Sequence, residues 1–205
     1  MIHRNEIGKY LTSLGLTGKG VEVGTFKGDY AKHILSTWGG TLYMVDPWRE
    51  IPEGYIDSSN HANHPTAYLD TMNKLKGVED RGIMIRALSE QAVDLFKDES
   101  LDFVYIDGNH TYDYVKQDIE LWYPKVKKGG LVAGHDYLLF ADYSKPPFAE
   151  NGIDKHIYSN NGNPDTPMRY AGEFGVNPAV DEFSKSFNYK VNLTTEQFAT
   201  WYFIK

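Results

Sequence analysis

The stretch from residue 101 to 137 constrains the fold more than any other part of this chain. It contains two runs typical of buried strands, LDFVYID at 101–107 and GGLVAGHD at 129–136. One amphipathic helical segment separates the two runs. Strands that are joined through a helix are expected to lie parallel and side by side in one sheet.

Polar side chains follow both of these predicted strands. Asp107 and His110 come after the first run, and His135 and Asp136 close the second. In open α/β sheets, ligands bind at the carboxyl ends of the strands. We therefore expect these four side chains to meet at one ligand-binding edge and to form a reaction centre.

The rest of the chain continues the alternation of strands and helices. Strand patterns occupy 19–24, 41–46 and 82–87, helical spacing occupies 5–14, 28–37, 67–77, 89–96 and 176–187, and a closing pair of strands occupies 189–193 and 198–205. This order predicts an α/β fold in one domain, 1–205. We expect a doubly wound, mostly parallel Rossmann-like sheet of about seven strands, with a C-terminal antiparallel hairpin and helices on both faces. Two inserts interrupt the pattern, at about 47–65 and 138–174, and the second is a candidate lid over the acceptor or a subunit contact.

Composition narrows the possible functions. The chain of 205 residues has a formal net charge of −7, which argues against a nucleic-acid binder, because phosphate binding needs clustered cations. It has no cysteine, so disulfides and thiolate metal sites are excluded. No apolar run approaches the ~18 residues that cross a bilayer, and the first residues lack the apolar core of a signal peptide. We expect a cytoplasmic protein with a small-molecule partner and no membrane or nucleic-acid partner, and homo-oligomerisation is left open.

A candidate cofactor site follows the first two strands. Glu22, Gly24 and Gly28 lie in VEVGTFKGDY, and Asp46 ends the second strand. Glycine after a buried strand allows close approach of a ligand, and an acid at the end of the next strand is suited to both hydroxyls of a ribose. The glycine spacing differs from the Gly-x-Gly-x-x-Gly that seats a pyrophosphate, which argues against a dinucleotide.

This set of residues resembles the class I S-adenosylmethionine-dependent methyltransferases over most of the chain. The resemblance implies that Glu22 and Gly24 lie near the methionine end of the cofactor and that Asp46 binds its ribose. It also implies that Ser89 lies near the adenine, and Asp107, at the end of the fourth strand, is a further candidate for contact with the cofactor. Trp48 is a second candidate for the adenine side, with a place in the core as the alternative.

Within that superfamily, IDGNHTYD and GHDY resemble the metal-dependent O-methyltransferases that act on sugars and other natural products. The resemblance implies that Asp107, His135 and Asp136 hold a divalent metal, Mg²⁺ or Mn²⁺, and that His110 is the general base. The family often has an acid where His135 stands, so the imidazole leaves both the metal and its presence open. His110 alternatively holds its loop, and His135 alternatively has a packing role.

Two other functions remain open from the sequence. His110, His135 and Asp136 match the two-histidine, one-carboxylate set of iron oxygenases. A protein that binds S-adenosylmethionine without catalysis is the non-enzymatic alternative.

Overall fold

A computed structural model of the chain describes residues 1–51, 62–138, 158–159, 169–170, 175–196 and 198–205. Helices and strands alternate along the chain, as the sequence predicts. The strands are β1 (Lys19–Val23), β2 (Thr41–Asp46), β3 (Gly82–Arg86), β4 (Leu101–Ile106), β5 (Val126–Leu138), β6 (Tyr158–Ser159), β7 (Arg169–Tyr170), β8 (Asn192–Leu193) and β9 (Phe198–Ile204). The α-helices are α1 (Ile7–Ser13), α2 (Asp29–Thr37), α3 (His64–Lys74), α4 (Ser89–Ala92), α5 (Tyr112–Trp122) and α6 (Val176–Ser186).

Seven of the strands form one sheet in the order β3-β2-β1-β4-β5-β9-β8. The first five strands of the chain pair parallel with one another, and β9 pairs antiparallel with both β5 and β8. The predicted doubly wound sheet and its C-terminal antiparallel hairpin are confirmed. The strand order reverses between β1 and β4, which is the switch point where ligands bind in such sheets.

Helices cover both faces of the sheet because its strands alternate their side chains between two apolar clusters. In β4, Val104 and Ile106 join one cluster, whereas Phe103 and Tyr105 join the other. The first cluster is completed by α4, α5 and α6, and the second by α1, α2 and α3. This period of two along a fully buried strand explains why LDFVYID reads as continuously apolar.

Several element bounds differ from the predicted ones. A 3-10 turn, Arg4–Glu6, precedes α1, and α4 has four residues before a second 3-10 turn, Val93–Leu95. The helix α3 begins earlier than predicted, at His64, because the Asn63 side chain accepts a hydrogen bond from the Thr66 N–H (3.1 Å). No helix among the described residues is both long and apolar enough to cross a membrane.

Candidate active site

An open pocket lies at the carboxyl ends of β1, β2, β3 and β4. Its empty space is about 900 Å³ when the open solvent at its mouth is included. Main-chain bonds draw the strand ends together, since Gly24 N–H donates to the Val45 carbonyl and Asp107 N–H donates to the Val23 carbonyl, both at 2.8 Å. Four residues predicted for the cofactor line this pocket: Gly24, Asp46, Ser89 and Asp107.

Asp46 is fixed at the pocket by two backbone donors. The Phe26 N–H donates to Oδ2 and the Trp48 N–H donates to Oδ1, each at 2.7 Å. Burial raises the pKa of Asp46 above its ordinary value, and the backbone N–H groups offset part of that rise. Each carboxylate oxygen keeps a second lone pair, so Asp46 can still accept bonds from two hydroxyl groups of a ligand.

The side chain of Trp48 lies in the core. It is 1% exposed, its Nε1–H donates to the Phe26 carbonyl at 2.7 Å, and its ring meets Tyr68 edge-on at 5.3 Å. The described residues that line the pocket do not include it. The geometry therefore matches the core alternative for this side chain, and Trp48 acts on the pocket through its backbone N–H.

Glu22, Gly24 and Gly28 shape the turn behind the pocket. Glu22 is buried and accepts a hydrogen bond from Thr25 Oγ1 at 2.9 Å, and burial raises its pKa to about 8. Gly24 has φ +86°, and a Cβ there would lie 2.1 Å from the Asp107 carbonyl oxygen. Gly28 is the N-cap of α2 with φ +72°. Of these three, Gly24 is the residue that lines the pocket itself.

Ser89 is tied to a buried acid on α5. Its hydroxyl donates to Asp118 Oδ1 and accepts from the Trp122 indole N–H at 2.8 Å. Asp118 is 6% exposed, lines the pocket and has its pKa raised to about 7, chiefly by burial, although the Ser89 bond opposes the rise. The predicted adenine contact of Ser89 thus has a carboxyl group directly behind it.

We call Asp107, His110, His135 and Asp136 the reaction corner. His110 Nε2 lies 2.7 Å from Asp136 Oδ2 and 3.9 Å from Asp107 Oδ1. Burial acts to raise the pKa of Asp136, but the imidazoles of His110 and His135 outweigh it, so the pKa lies well below its ordinary value. The corner therefore holds an ionised carboxylate between two imidazoles.

A local irregularity of β5 turns both His135 and Asp136 into this corner. Neighbouring residues of a regular strand point to opposite faces. Here the pairing of β5 with β9 shifts register between Gly134 and Tyr137, and Asp136 has φ +62°. Bulges of this kind re-aim side chains next to functional sites.

His135 has partners at both ring nitrogens. Nδ1 lies 2.9 Å from Asp136 Oδ1 and 3.8 Å from Asp107 Oδ1, and Nε2 lies 2.8 Å from an Nη1 of Arg4. The second Nη of Arg4 is 3.4 Å from Asp107 Oδ2. Arg4 is a member of the site that sequence reasoning missed, because nothing in MIHRNEIGKY marks that one cation as inward-facing.

The loop that carries His110 is held by the start of α6. The Gly175 N–H donates to the His110 carbonyl at 2.7 Å, and the Thr111 N–H donates to Asn109 Oδ1 at 2.8 Å. A Cβ at Gly175 would lie 2.3 Å from the Tyr112 backbone N, so only glycine allows this approach. The His110 imidazole thus extends from a loop whose backbone is held in place by hydrogen bonds.

The donor set of the corner fits a divalent metal ion. Asp107, His110 and Asp136 each offer a ligand atom, and these atoms all lie within 4.8 Å of one another. Two carboxylates and one imidazole suit Mn²⁺ or Mg²⁺ better than a soft ion. His135, the predicted third ligand, is outside this group because its nitrogens face Asp136 and Arg4.

Asp118 is a pocket residue that sequence reasoning missed. A signal was present, because Asp118 lies three residues after Val115 and beside Ile119, on the apolar stripe of its helix. Most of the two predicted inserts lies outside the described residues, so the predicted lid or subunit contact at 138–174 has no structural counterpart to set beside it.

Fold and pocket together define the chain as a class I methyltransferase type of protein. It belongs to the methyltransferase domain family, whose sequence pattern matches residues 21–137, more than half of the chain. The predicted resemblance is confirmed at this level.

Solved O-methyltransferases share the fold at low sequence identity. An O-methyltransferase family protein from Burkholderia thailandensis matches with a TM-score of 0.64 and 12% identity, over 98% of this chain and 55% of that one. The Bacillus cereus O-methyltransferase in complex with SAH gives 0.59 and 14%, over 98% and 80%. TomG from Streptomyces achromogenes, an O-methyltransferase involved in tomaymycin synthesis and solved with SAM, gives 0.60 and 11%, over 98% and 79%.

One curated protein matches over a short segment. The uncharacterized protein y4gI of Sinorhizobium fredii (strain NBRC 101917 / NGR234) is 38% identical over 53 residues, which are 26% of this chain and 6% of that protein. The match spans only a small part of that protein, so it says nothing about an activity of the whole.

Proposed function

We propose that this protein transfers the methyl group of S-adenosylmethionine to a hydroxyl group of a small molecule, such as a sugar or a natural product. The observation that carries the proposal is the position of Asp107. This residue lines the pocket and also belongs to the close group that contains His110 and Asp136. The pocket at the strand ends thus adjoins groups that can activate an oxygen nucleophile.

The cofactor end of the proposal rests on Asp46 and the turn around Gly24. The Asp46 carboxylate borders the pocket with free lone pairs, which supports a role as acceptor for the ribose hydroxyls. Gly24 keeps the wall at the end of β1 free of a side chain. Ser89 and Asp118 offer polar atoms further along the same pocket.

The chemistry needs an activated oxygen more than an activated methyl group. When bound, S-adenosylmethionine supplies a methyl group on a positively charged sulfur, which already makes it a good electrophile. His110 takes the proton from the acceptor hydroxyl, because a neutral hydroxyl is a poor nucleophile. Asp136, 2.7 Å from His110 Nε2, stabilises the imidazolium that results.

A divalent ion is an additional part of the proposal. Asp107, His110 and Asp136 would hold it. It would lower the pKa of the acceptor hydroxyl, which in the metal-loaded protein would replace proton transfer to His110. The family match favours methyl transfer over the iron oxygenase alternative.

Calorimetry with S-adenosylhomocysteine tests the cofactor part. We expect the wild-type protein to bind it and Asp46→Ala to bind at least about tenfold more weakly, since two charge-assisted hydrogen bonds are lost. Asp80→Ala, at an exposed acid away from the pocket, is the matched control and should bind like the wild type. Folded wild-type protein that binds no S-adenosylhomocysteine would remove the proposal.

Methyl transfer itself is tested with labelled S-adenosylmethionine over a panel of hydroxylated acceptors. Label in a product ether would support the enzymatic function. Cofactor binding without turnover on any acceptor would favour the non-catalytic alternative. Iron-dependent oxygen consumption that Asp46→Ala leaves unchanged would favour the oxygenase.

A further inference from the structure

Arg4 reaches the reaction corner from a segment far from it in sequence. Its backbone is held on both sides, since its N–H donates to Glu196 Oε1 at 2.6 Å and its carbonyl accepts from the Tyr30 hydroxyl at 2.9 Å. Its guanidinium lies 4.0 Å from the centroid of the Tyr30 ring. A side chain that is anchored and stacked in this way is pre-organised, unlike a freely rotating surface arginine.

The contact between Arg4 and His135 fixes the chemistry of that imidazole. A guanidinium has only donors, so His135 Nε2, 2.8 Å from Arg4 Nη1, must be the acceptor. The ring proton then resides on Nδ1, which lies 2.9 Å from Asp136 Oδ1 and donates to it. Neither nitrogen of His135 is left with a lone pair directed between the two carboxylates.

Arg4 also adds a positive charge beside the same carboxylates. Its second Nη lies 3.4 Å from Asp107 Oδ2. A cation in this place offsets part of the negative charge that would attract a metal ion. We take a unit charge and a divalent ion roughly 6 Å apart, screened as in water. Their Coulomb repulsion amounts to about a tenfold change in metal affinity.

From these contacts we infer that Arg4 is a positioning residue that keeps His135 out of the metal-ligand set and weakens the affinity of the corner for divalent cations. The imidazole available to a metal ion is then that of His110, together with Asp107 and Asp136. The inference rests on the metal-assisted part of the proposed function and adds a residue that sets its strength.

The test compares Arg4→Met, which removes charge and donors at similar length, with Arg4→Lys, which keeps the charge. Mn²⁺ affinity is measured by electron paramagnetic resonance on the full chain without cofactor or acceptor. We expect Arg4→Met to bind Mn²⁺ at least about tenfold more tightly than the wild type, and Arg4→Lys to stay close to it. Lys9→Met removes an exposed cation from α1 and should leave the affinity unchanged.

A second readout follows the imidazole itself. Nitrogen-15 NMR of His135 at fixed pH should show Nδ1 protonated and Nε2 unprotonated in the wild type, and loss of that preference in Arg4→Met. A merely structural role for Arg4 would not move the tautomer while the fold is retained, and thermal denaturation of each variant checks the fold.

Several outcomes would overturn the inference. These are equal Mn²⁺ affinity in wild type and Arg4→Met, equal tightening in Arg4→Met and Arg4→Lys, absence of Mn²⁺ binding in all variants, or a proton on Nε2 of His135 in the wild type. Failure of the proposed function is distinguishable, because it appears as loss of S-adenosylhomocysteine binding in the wild type. If the wild-type protein binds S-adenosylhomocysteine but Arg4→Met leaves the Mn²⁺ affinity unchanged, only this inference is contradicted.

Discussion

The buried acid Asp118 should make the stability of this protein depend on pH. Its carboxyl group is 6% exposed, and burial raises its pKa from an ordinary value of 3.8 to about 7. The bond from Ser89 offsets only part of that penalty. Because the folded-state pKa is the higher one, the native state favours the protonated form, and the contribution of this group to stability is lost as the pH rises through about 7.

The magnitude follows from the shift. A difference of about three pKa units corresponds to at most about 4 kcal/mol at pH 8, and about 3 kcal/mol of this develops between pH 5 and pH 8. Asp118→Asn keeps the shape and an oxygen that can accept from Ser89, yet it cannot ionise. We therefore expect Asp118→Asn to raise the free energy of unfolding at pH 8 by up to about 4 kcal/mol and to change it little at pH 4.

Urea denaturation of both proteins at pH 4, 5, 6, 7 and 8 measures this difference. Taking the difference between the two curves cancels other groups such as Glu22, whose pKa burial raises to about 8. Glu120→Gln on the same helix changes an exposed carboxylate to an amide and should show no such trend. A difference between Asp118→Asn and wild type that is the same at every pH would refute the reasoning.

Two further substitutions test the turn and the base. Gly24→Ala should lower the free energy of unfolding, measured by thermal denaturation, by roughly 3 kcal/mol or more, because its Cβ would meet the Asp107 carbonyl oxygen at 2.1 Å. Gly15 also has positive φ, +72°, but a Cβ there would have no atom within 4 Å, so Gly15→Ala should cost only about 1 kcal/mol in the same measurement. His110→Gln should lower the methyl transfer rate by about 10² to 10⁴ with S-adenosylhomocysteine affinity unchanged, and a rate within threefold of wild type would exclude His110 as the base.

The fold and much of the candidate site were predictable because they follow from local pattern. Continuous apolar runs with a helix between them specify parallel neighbours, and the end of a strand specifies the edge on which a side chain such as Asp46 or Asp107 lies. The closing hairpin was predictable for the same reason, since Asn192 and Leu193 pair with Tyr202 and Trp201 as its pattern implies.

What the sequence could not supply is the approach of distant segments. Arg4 enters the corner because Tyr30 and Glu196 hold its backbone, and these three residues are far apart in the chain. By its residue type alone, Trp48 could contact a ligand or pack in the core. Its place in the core depends on a hydrogen bond to the Phe26 carbonyl and on packing against the Tyr68 ring. Such contacts depend on tertiary packing, which the periodicity of apolar residues along the sequence does not reveal.

Backbone strain gives an independent indication of where this molecule works. Among the described residues, five that are not glycine have positive φ. Three of them either donate a backbone hydrogen bond to Asp46 or lie in the reaction corner: Phe26, Trp48 and Asp136. Each such conformation costs roughly 1 kcal/mol or more unless the surroundings impose it. At Phe26 and Trp48 the strained backbone aims its N–H at Asp46, and at Asp136 it accompanies the irregular pairing that turns adjacent side chains into one corner. The strained backbone is therefore concentrated where it orients carboxylates. This is the expected result if the pocket and the reaction corner are selected for binding and chemistry rather than for stability.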